Sequence, residues 1–136
     1  MEKVFVDSDI ILDLLAKREP YYQAAAELFS RAEKKEVGVY ISPLIFSNLF
    51  YVIRKMTSRP KARETLKKLK SLIQVLPIDD KIIDQALHSE FPDLEDAIQY
   101  YTVLANDISI LITRNKRDYK LAALSIYTAA EFLDSR

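Results

Sequence analysis

The chain has 136 residues, 49% of them hydrophobic and 29% charged, and a net charge of zero. This is the length of one domain (residues 1–136) and the composition of an ordinary folded protein, which excludes a disordered chain. One Gly excludes glycine-rich phosphate cradles, no Cys excludes disulfides, thiolate zinc sites and thiol nucleophiles, and one His excludes paired-histidine zinc sites. Carboxylates, hydroxyls and amides are left to do any chemistry.

Met1-Glu2-Lys3 leads into only three apolar residues before Asp7. That is no signal peptide, and nowhere do ~18 apolar residues run together, so a soluble, cytoplasmic chain without membrane contact is expected. Lys3–Val6 is apolar and β-branched, as in a buried strand. Helical spacing from Ile10 to Ala16 follows and is broken by Glu19-Pro20. Tyr21–Lys35 reads as a second helix with Ala25, Leu28, Phe29 and Ala32 on one face. Gly38 is expected to terminate it, ahead of a short strand Val39–Ile41. Ser42-Pro43 then opens a helix through Met56, with the Ser as N-cap and the Pro in its first turn.

Arg59-Pro60 starts a basic helix whose inner stripe is Leu66, Leu69 and Ile73. Residues 54–70 carry Arg54, Lys55, Arg59, Lys61, Arg63, Lys67, Lys68 and Lys70 against Glu64, a balance of +7. Gln74–Leu76 is a short strand closed by Pro77, and Asp79–Ser89 a helix. Residues 79–96 reverse the sign to −6, with Asp79, Asp80, Asp84, Glu90, Asp93, Glu95 and Asp96 against Lys81. A helix from Pro92-Asp93 to about Asn106 feeds a strand at Ile108–Thr113. A turn or short helix at Asn115–Lys120, a strand near Ser125–Thr128 and a helix Ala129–Leu133 close the chain. Short, continuously apolar strands alternating with helices predict a three-layer α/β/α sandwich around a mainly parallel sheet of four to five strands.

In such a sheet the active crevice lies beyond the carboxyl ends of the strands. Strand one delivers Asp7, Ser8 and Asp9 there, and strand two Ser42, with Asn48 on the helix that follows. The Ile108–Thr113 strand delivers Thr113, Arg114, Asn115 and, a turn later, Asp118. Asp96 opens the helix feeding that strand. Asp7 would also serve as a helix cap, but three capping types in a row exceed what one cap needs. Asp93 reads as the cap of its helix, and Glu95, about 100° around from Asp96, as a solvated residue. Asp13 reads as a surface residue, His88 likewise, and Tyr100-Tyr101 and Tyr21-Tyr22 as core or packing aromatics rather than base-stacking platforms.

These residues together resemble the PIN-domain ribonucleases, particularly the VapC-type toxins of toxin–antitoxin pairs. The resemblance runs through Val4-Phe5-Val6-Asp7-Ser8-Asp9, through Glu95-Asp96-Ala97-Ile98, and through Thr113-Arg114-Asn115-Lys116-Arg117-Asp118-Tyr119. It implies hydrolysis of phosphodiester bonds in RNA, often tRNA, with Mg²⁺ or Mn²⁺ as cofactor. Asp7 and Asp96 would hold the principal ion, Asp118 would complete the acidic cluster, and Ser8, Asp9, Thr113 and Asn115 would support it. Arg114, Lys116 and Arg117, and Lys61, Lys67 and Lys68 of the basic helix, would meet RNA phosphates. A homodimer and a cognate antitoxin are the implied partners, and the run Leu44–Val52 has more hydrophobic residues than one helix face can bury.

One position departs from the family. The helix after strand two usually supplies a Glu, and Asn48 stands there. A carboxamide oxygen can coordinate a metal but brings no charge. Asn48 therefore motivates a second reading, a PIN fold serving as a binding or assembly module. A haloacid-dehalogenase-type phosphatase, suggested by Asp7-Ser8-Asp9, is the remote third: that chemistry needs a flap and usually a cap for which this chain has little room.

Overall fold

The computed structural model describes residues 1–119 and 123–136. Five strands form one sheet: β1 (Glu2–Val6), β2 (Val37–Ile41), β3 (Ile73–Val75), β4 (Ile110–Ile112) and β5 (Ser125–Tyr127). Every pairing is parallel, and the order across the sheet is β3-β2-β1-β4-β5. Among the described residues, seven helices cover it: α1 (Ser8–Leu15), α2 (Tyr22–Glu33), α3 (Pro43–Met56), α4 (Arg59–Lys70), α5 (Asp80–Leu87), α6 (Leu94–Ala105) and α7 (Ala129–Asp134). The α/β/α sandwich is as expected. None of the described helices is long and apolar enough to cross a membrane.

The strands read as continuous apolar runs because both faces of the sheet are buried. Val4, Phe5, Val6, Ile41, Leu111 and Ile112 are all fully shielded and form the centre of the core. The predicted inner faces of α2 (Ala25, Leu28, Phe29, Ala32) and α4 (Leu66, Leu69) pack onto it. A smaller cluster, Ile82 and Ala86 of α5 with Ala97 and Ile98 of α6, joins those two helices.

Several boundaries differ from expectation. Gly38 does not stop α2: the left-handed exit is taken by Lys35 at φ 62°, and Gly38 lies within β2 opposite Lys3. A Cβ at Gly38 would stand 3.2 Å from the Tyr40 ring, so the close approach, not a turn, uses the glycine. β3 begins one residue early because Ile73 pairs with Val39. β4 begins two residues late, because Asp107 at φ 57° and the Ile108 N–H to Val103 carbonyl bond (3.2 Å) still belong to the exit of α6. The expected turn at Asn115–Lys120 is a 3₁₀ turn, Lys116–Tyr119, and Lys120 lies outside the described residues.

The strand order places the site. The chain steps outward from β1 to β2 to β3, then returns to β4 on the other side of β1. The order reverses between β1 and β4, and a crevice opens at such a switch point, beyond the carboxyl ends of the two strands. Asp7 follows β1 and Thr113 follows β4, in adjacent register (Val6 opposite Ile112).

Candidate active site at the carboxyl ends of β1 and β4

Asp7 is the N-cap of α1, and one oxygen accepts the Ser8 amide at 2.8 Å. Its other oxygen accepts the Thr113 hydroxyl at 3.0 Å, across 106 residues of sequence. Thr113 is itself buried and accepts the Asn115 amide at 3.0 Å. Asp9, in the first turn of α1, takes the Arg114 amide at 3.0 Å and the Asn115 side-chain amide at 3.3 Å on one oxygen. Its second oxygen is buried and has no hydrogen-bond partner among the described residues. The capping residue and the functional candidate are thus one residue, Asp7, while Ser8 contributes its backbone amide.

Asp96 sits in the first turn of α6, where its amide donates to the cap, Asp93, at 3.0 Å. Asp118 lies on the 3₁₀ turn, and Asp96, Asp118 and Arg117 line one cleft of about 330 Å³ with Phe91 and Pro92. Burial pushes the Asp96 carboxyl up to about 7, and the charges of Asp93, Asp118, Asp7 and Glu95 push the same way. Burial also raises Asp7, against the hydrogen bonds from Ser8 and Thr113 and with help from Glu95 and Asp118. Asp9 is raised to about 6, by burial first and the Asp7 charge second. The carboxylates are electrostatic neighbours, as like charges gathered from separate segments must be. The expected metal-bridging closure is not formed: no three acidic side chains among the described residues are placed around one metal position.

Asn48 reaches the cluster indirectly. Its side-chain amide donates to Glu95 at 2.9 Å, joining α3 to α6, and both side chains are exposed. Glu95 is therefore solvated as expected, yet it is anchored and adds to the field on Asp7 and Asp96.

The basic candidates divide. Arg114 is not free for phosphate: its guanidinium makes two bonds to Asp13, at 2.8 and 2.9 Å, and lies 4.0 Å from the centre of the Tyr21 ring. Asp13, expected at the surface, is 1% exposed. It lies one turn beyond Asp9 on α1, a spacing that gives both the same face. Lys116 pairs with Glu131 at 3.0 Å in the capping box of α7, whereas Arg117 opens onto the cleft of Asp96 and Asp118. Lys61, Lys67 and Lys68 stand exposed on α4, with Lys68 in a loose 3.8 Å pair to Glu64.

Tyr119 closes the motif quoted from the sequence, which assigned it no role of its own. It is 2% exposed, and its hydroxyl has no partner among the described residues. Burial first, then the charges of Asp7, Asp96, Asp9 and Asp118, raise its pKa, so it stays protonated.

The family model described as PIN domain matches residues 3–117. The chain belongs to the PIN domain family. Among curated proteins it is similar to Ribonuclease VapC1 of Aquifex aeolicus, 22% identical over 98% of this chain and 94% of that one. Among solved structures it is similar to a toxin–antitoxin complex from Klebsiella pneumoniae (TM-score 0.70, 22% identity, 93% of this chain and 97% of that one). It is also similar to Mycobacterium tuberculosis VapC20, a sarcin–ricin-loop-cleaving toxin (TM-score 0.62, 15% identity, 79% and 86% covered). At these identities the structural matches speak for the PIN fold, with the half-buried Asp7 at its switch point.

Proposed function

We propose that this PIN domain is an endoribonuclease that hydrolyses RNA phosphodiester bonds and acts as the toxin of a toxin–antitoxin pair. The observation that carries the reading is that Thr113, Arg114 and Asn115 at the end of β4 hold Asp7 and Asp9 at the end of β1, while Asp96 and Asp118 line one cleft within range of the Asp7 charge. Side chains of that type, crowded and partly buried, are matched to a divalent cation or to proton transfer. The ribonuclease VapC1 similarity supports the substrate class.

The donor types suit a hard cation, although no three of these acids among the described residues surround one metal position as they stand. All the donors are oxygens, their charges repel without an offset, and one buried Asp9 oxygen lacks a partner. Asp7, Asp96 and Asp118 would hold Mg²⁺ or Mn²⁺, which when bound supplies an acidified water and neutralises charge on the phosphate. The protein's own share is to position and exclude. Thr113 fixes one oxygen of Asp7 through its hydroxyl, the Ser8 amide fixes the other, and Asn115 steadies both Thr113 and Asp9. Arg117, beside Asp96 and Asp118, offers a cation to the RNA backbone.

An antitoxin partner has a place to dock. Phe46 and Phe50 of α3 and Leu66 of α4 line a cleft of about 430 Å³ rimmed by Arg63, Lys67 and Lys70. An amphipathic helix with an acidic edge fits that chemistry. The excess of apolar residues in Leu44–Val52 includes Tyr51, which is 54% exposed and, with the cleft, would offer a surface to such a partner. The test of the activity is cleavage of a labelled RNA by the purified protein in Mg²⁺ or Mn²⁺. Loss of cleavage in EDTA and in Asp96→Asn is expected; cleavage that survives both overturns the assignment.

A further inference from the structure

The acid site borders a second cleft that phosphodiester hydrolysis itself does not use. It has a volume of about 460 Å³, within the ~300–1,000 Å³ usual for small-ligand pockets. Tyr21 and Arg114 line it together with Ala24, Ala129, Ala130 and Asn115. We propose that this cleft is a nucleobase subsite, which takes one splayed base of single-stranded RNA next to the acid site and stacks it on Tyr21. The proposal rests on the ribonuclease reading above.

Three observations select a base over a phosphate or an apolar side chain. First, the stacking surface is held rigid. The Arg114 guanidinium lies against one side of the Tyr21 ring at 4.0 Å, and two hydrogen bonds to the buried Asp13 keep it there. Tyr21 nevertheless remains 45% exposed, so ring surface is left for a second flat partner. Second, the cleft is charge-balanced. Asp13 neutralises Arg114 and would itself repel an anion, which disfavours a phosphate and leaves a polarised π-surface suited to a neutral aromatic group.

Third, the cleft is continuous with the acid site through single residues. The Arg114 amide binds Asp9 at 3.0 Å while its side chain lies in the cleft. The Asn115 side chain binds Asp9 at 3.3 Å and lines the cleft as well. Asp9 and Asp13 are separated by one turn of α1, about 6 Å of helix axis. An occupant of the cleft is thereby attached to a nucleotide adjoining the bond that the acid site would break. Stacking tolerates any base, so this subsite adds affinity and register without dictating sequence.

The experiment uses a fluorescein-labelled oligoribonucleotide that the wild-type protein cleaves, and two copies with one abasic nucleotide, 5′ or 3′ of the scissile bond. Stacking of one base is worth ~1–3 kcal/mol, or about 5- to 150-fold. Tyr21→Ala is expected to raise KM by that order with kcat little changed, and Tyr21→Phe to restore it. One abasic substrate should show the same loss with the wild type and no further loss with Tyr21→Ala. Ala130→Trp, which places a bulky ring at another lining residue of the cleft and leaves Tyr21 and Arg114 unchanged, should reproduce the loss. An unaltered KM in Tyr21→Ala and Ala130→Trp, or losses that simply add between variant and abasic substrate, overturns the subsite while leaving the nuclease intact. Absence of RNA cleavage by the wild type overturns the nuclease reading and the subsite with it.

Discussion

Asn48 and Glu95 are joined across two helices, the amide of one donating to the carboxylate of the other at 2.9 Å. The carboxamide that departs from the family pattern thus holds an acid at the border of the cluster instead of supplying one. A glutamate at 48 would set two carboxylates at hydrogen-bonding distance. Asn48→Glu should therefore lower the metal-free melting temperature by roughly 2–6 °C, from a lost bond worth ~0.5–1.5 kcal/mol and the added repulsion. It should also tighten Mn²⁺ binding by adding a charged oxygen donor. The double variant Asn48→Glu with Glu95→Gln should recover the apo stability. Calorimetry of both quantities is the check, and a variant that moves neither places the pair outside the site.

Asp96 makes stability depend on pH with a definite sign. Its folded pKa, about 7, lies above the ordinary carboxylate value of 3.8, so the folded chain holds the proton more tightly than the unfolded chain. Its contribution to stability is then greatest below about pH 4, falls as pH rises toward 7, and stays at its lower level above. Asp9, raised to about 6, adds to the same trend over a narrower window. Asp96→Asn should flatten the profile and raise the metal-free melting temperature at pH 7.5. Thermal melts from pH 4.5 to 8 in EDTA test this; a wild-type profile that rises between pH 5 and 7, or a steep one that survives the substitution, rejects it.

The fold was legible because strand burial and helix periodicity act locally. Val4–Val6 and Ile110–Ile112 are apolar at every position, which only a sheet covered on both faces explains. The acids at strand ends were legible for the same reason, since the parallel sheet fixes which end carries the crevice. Pairings between distant segments were not. Asp13 has an ordinary surface pattern for a charged residue in α1, and its burial depends on Arg114, 101 residues away. Glu95 points away from Asp96 on its own helix, so only the approach of α3 reveals its bond to Asn48. Gly38 misled because a glycine after a helix usually marks the stop, whereas Lys35 adopts the left-handed turn.

The Asp13–Arg114 pair is structural as well as a wall of the second cleft. Removing one partner of a buried ion pair costs ~3–5 kcal/mol, because the other is left buried and uncompensated. Arg114 keeps 27% of its side-chain surface, so the cost of Arg114→Ala should fall to about 2–3 kcal/mol, a melting temperature lower by roughly 6–15 °C. Arg114→Lys should recover only part of it, since an ammonium cannot reproduce the two-pronged contact or the stack on Tyr21. Denaturant titration gives the comparison. A fully stable Arg114→Ala would mean that water already reaches Asp13.

The exposed lysines of α4 are expected to act on RNA through charge alone. Lys61, Lys67 and Lys68 lie on the face opposite the buried Ala62, Leu66 and Leu69, and they lie outside the hydrogen-bond network of the acid site. If each neutralises one phosphate of a single strand, the triple reversal to Glu should flatten the slope of log affinity against log salt by about 2. It should weaken binding to unrelated sequences alike, because phosphate contacts carry no sequence information. Binding is best followed by anisotropy in the Asp96→Asn background, where RNA is not consumed, between 50 and 300 mM salt (~10-fold weaker binding at the low end is enough to resolve). The melting temperature should stay within a few degrees, as all three side chains are solvated. An unchanged slope would return the α4 face to solvent and leave RNA affinity to Arg117 and the second cleft.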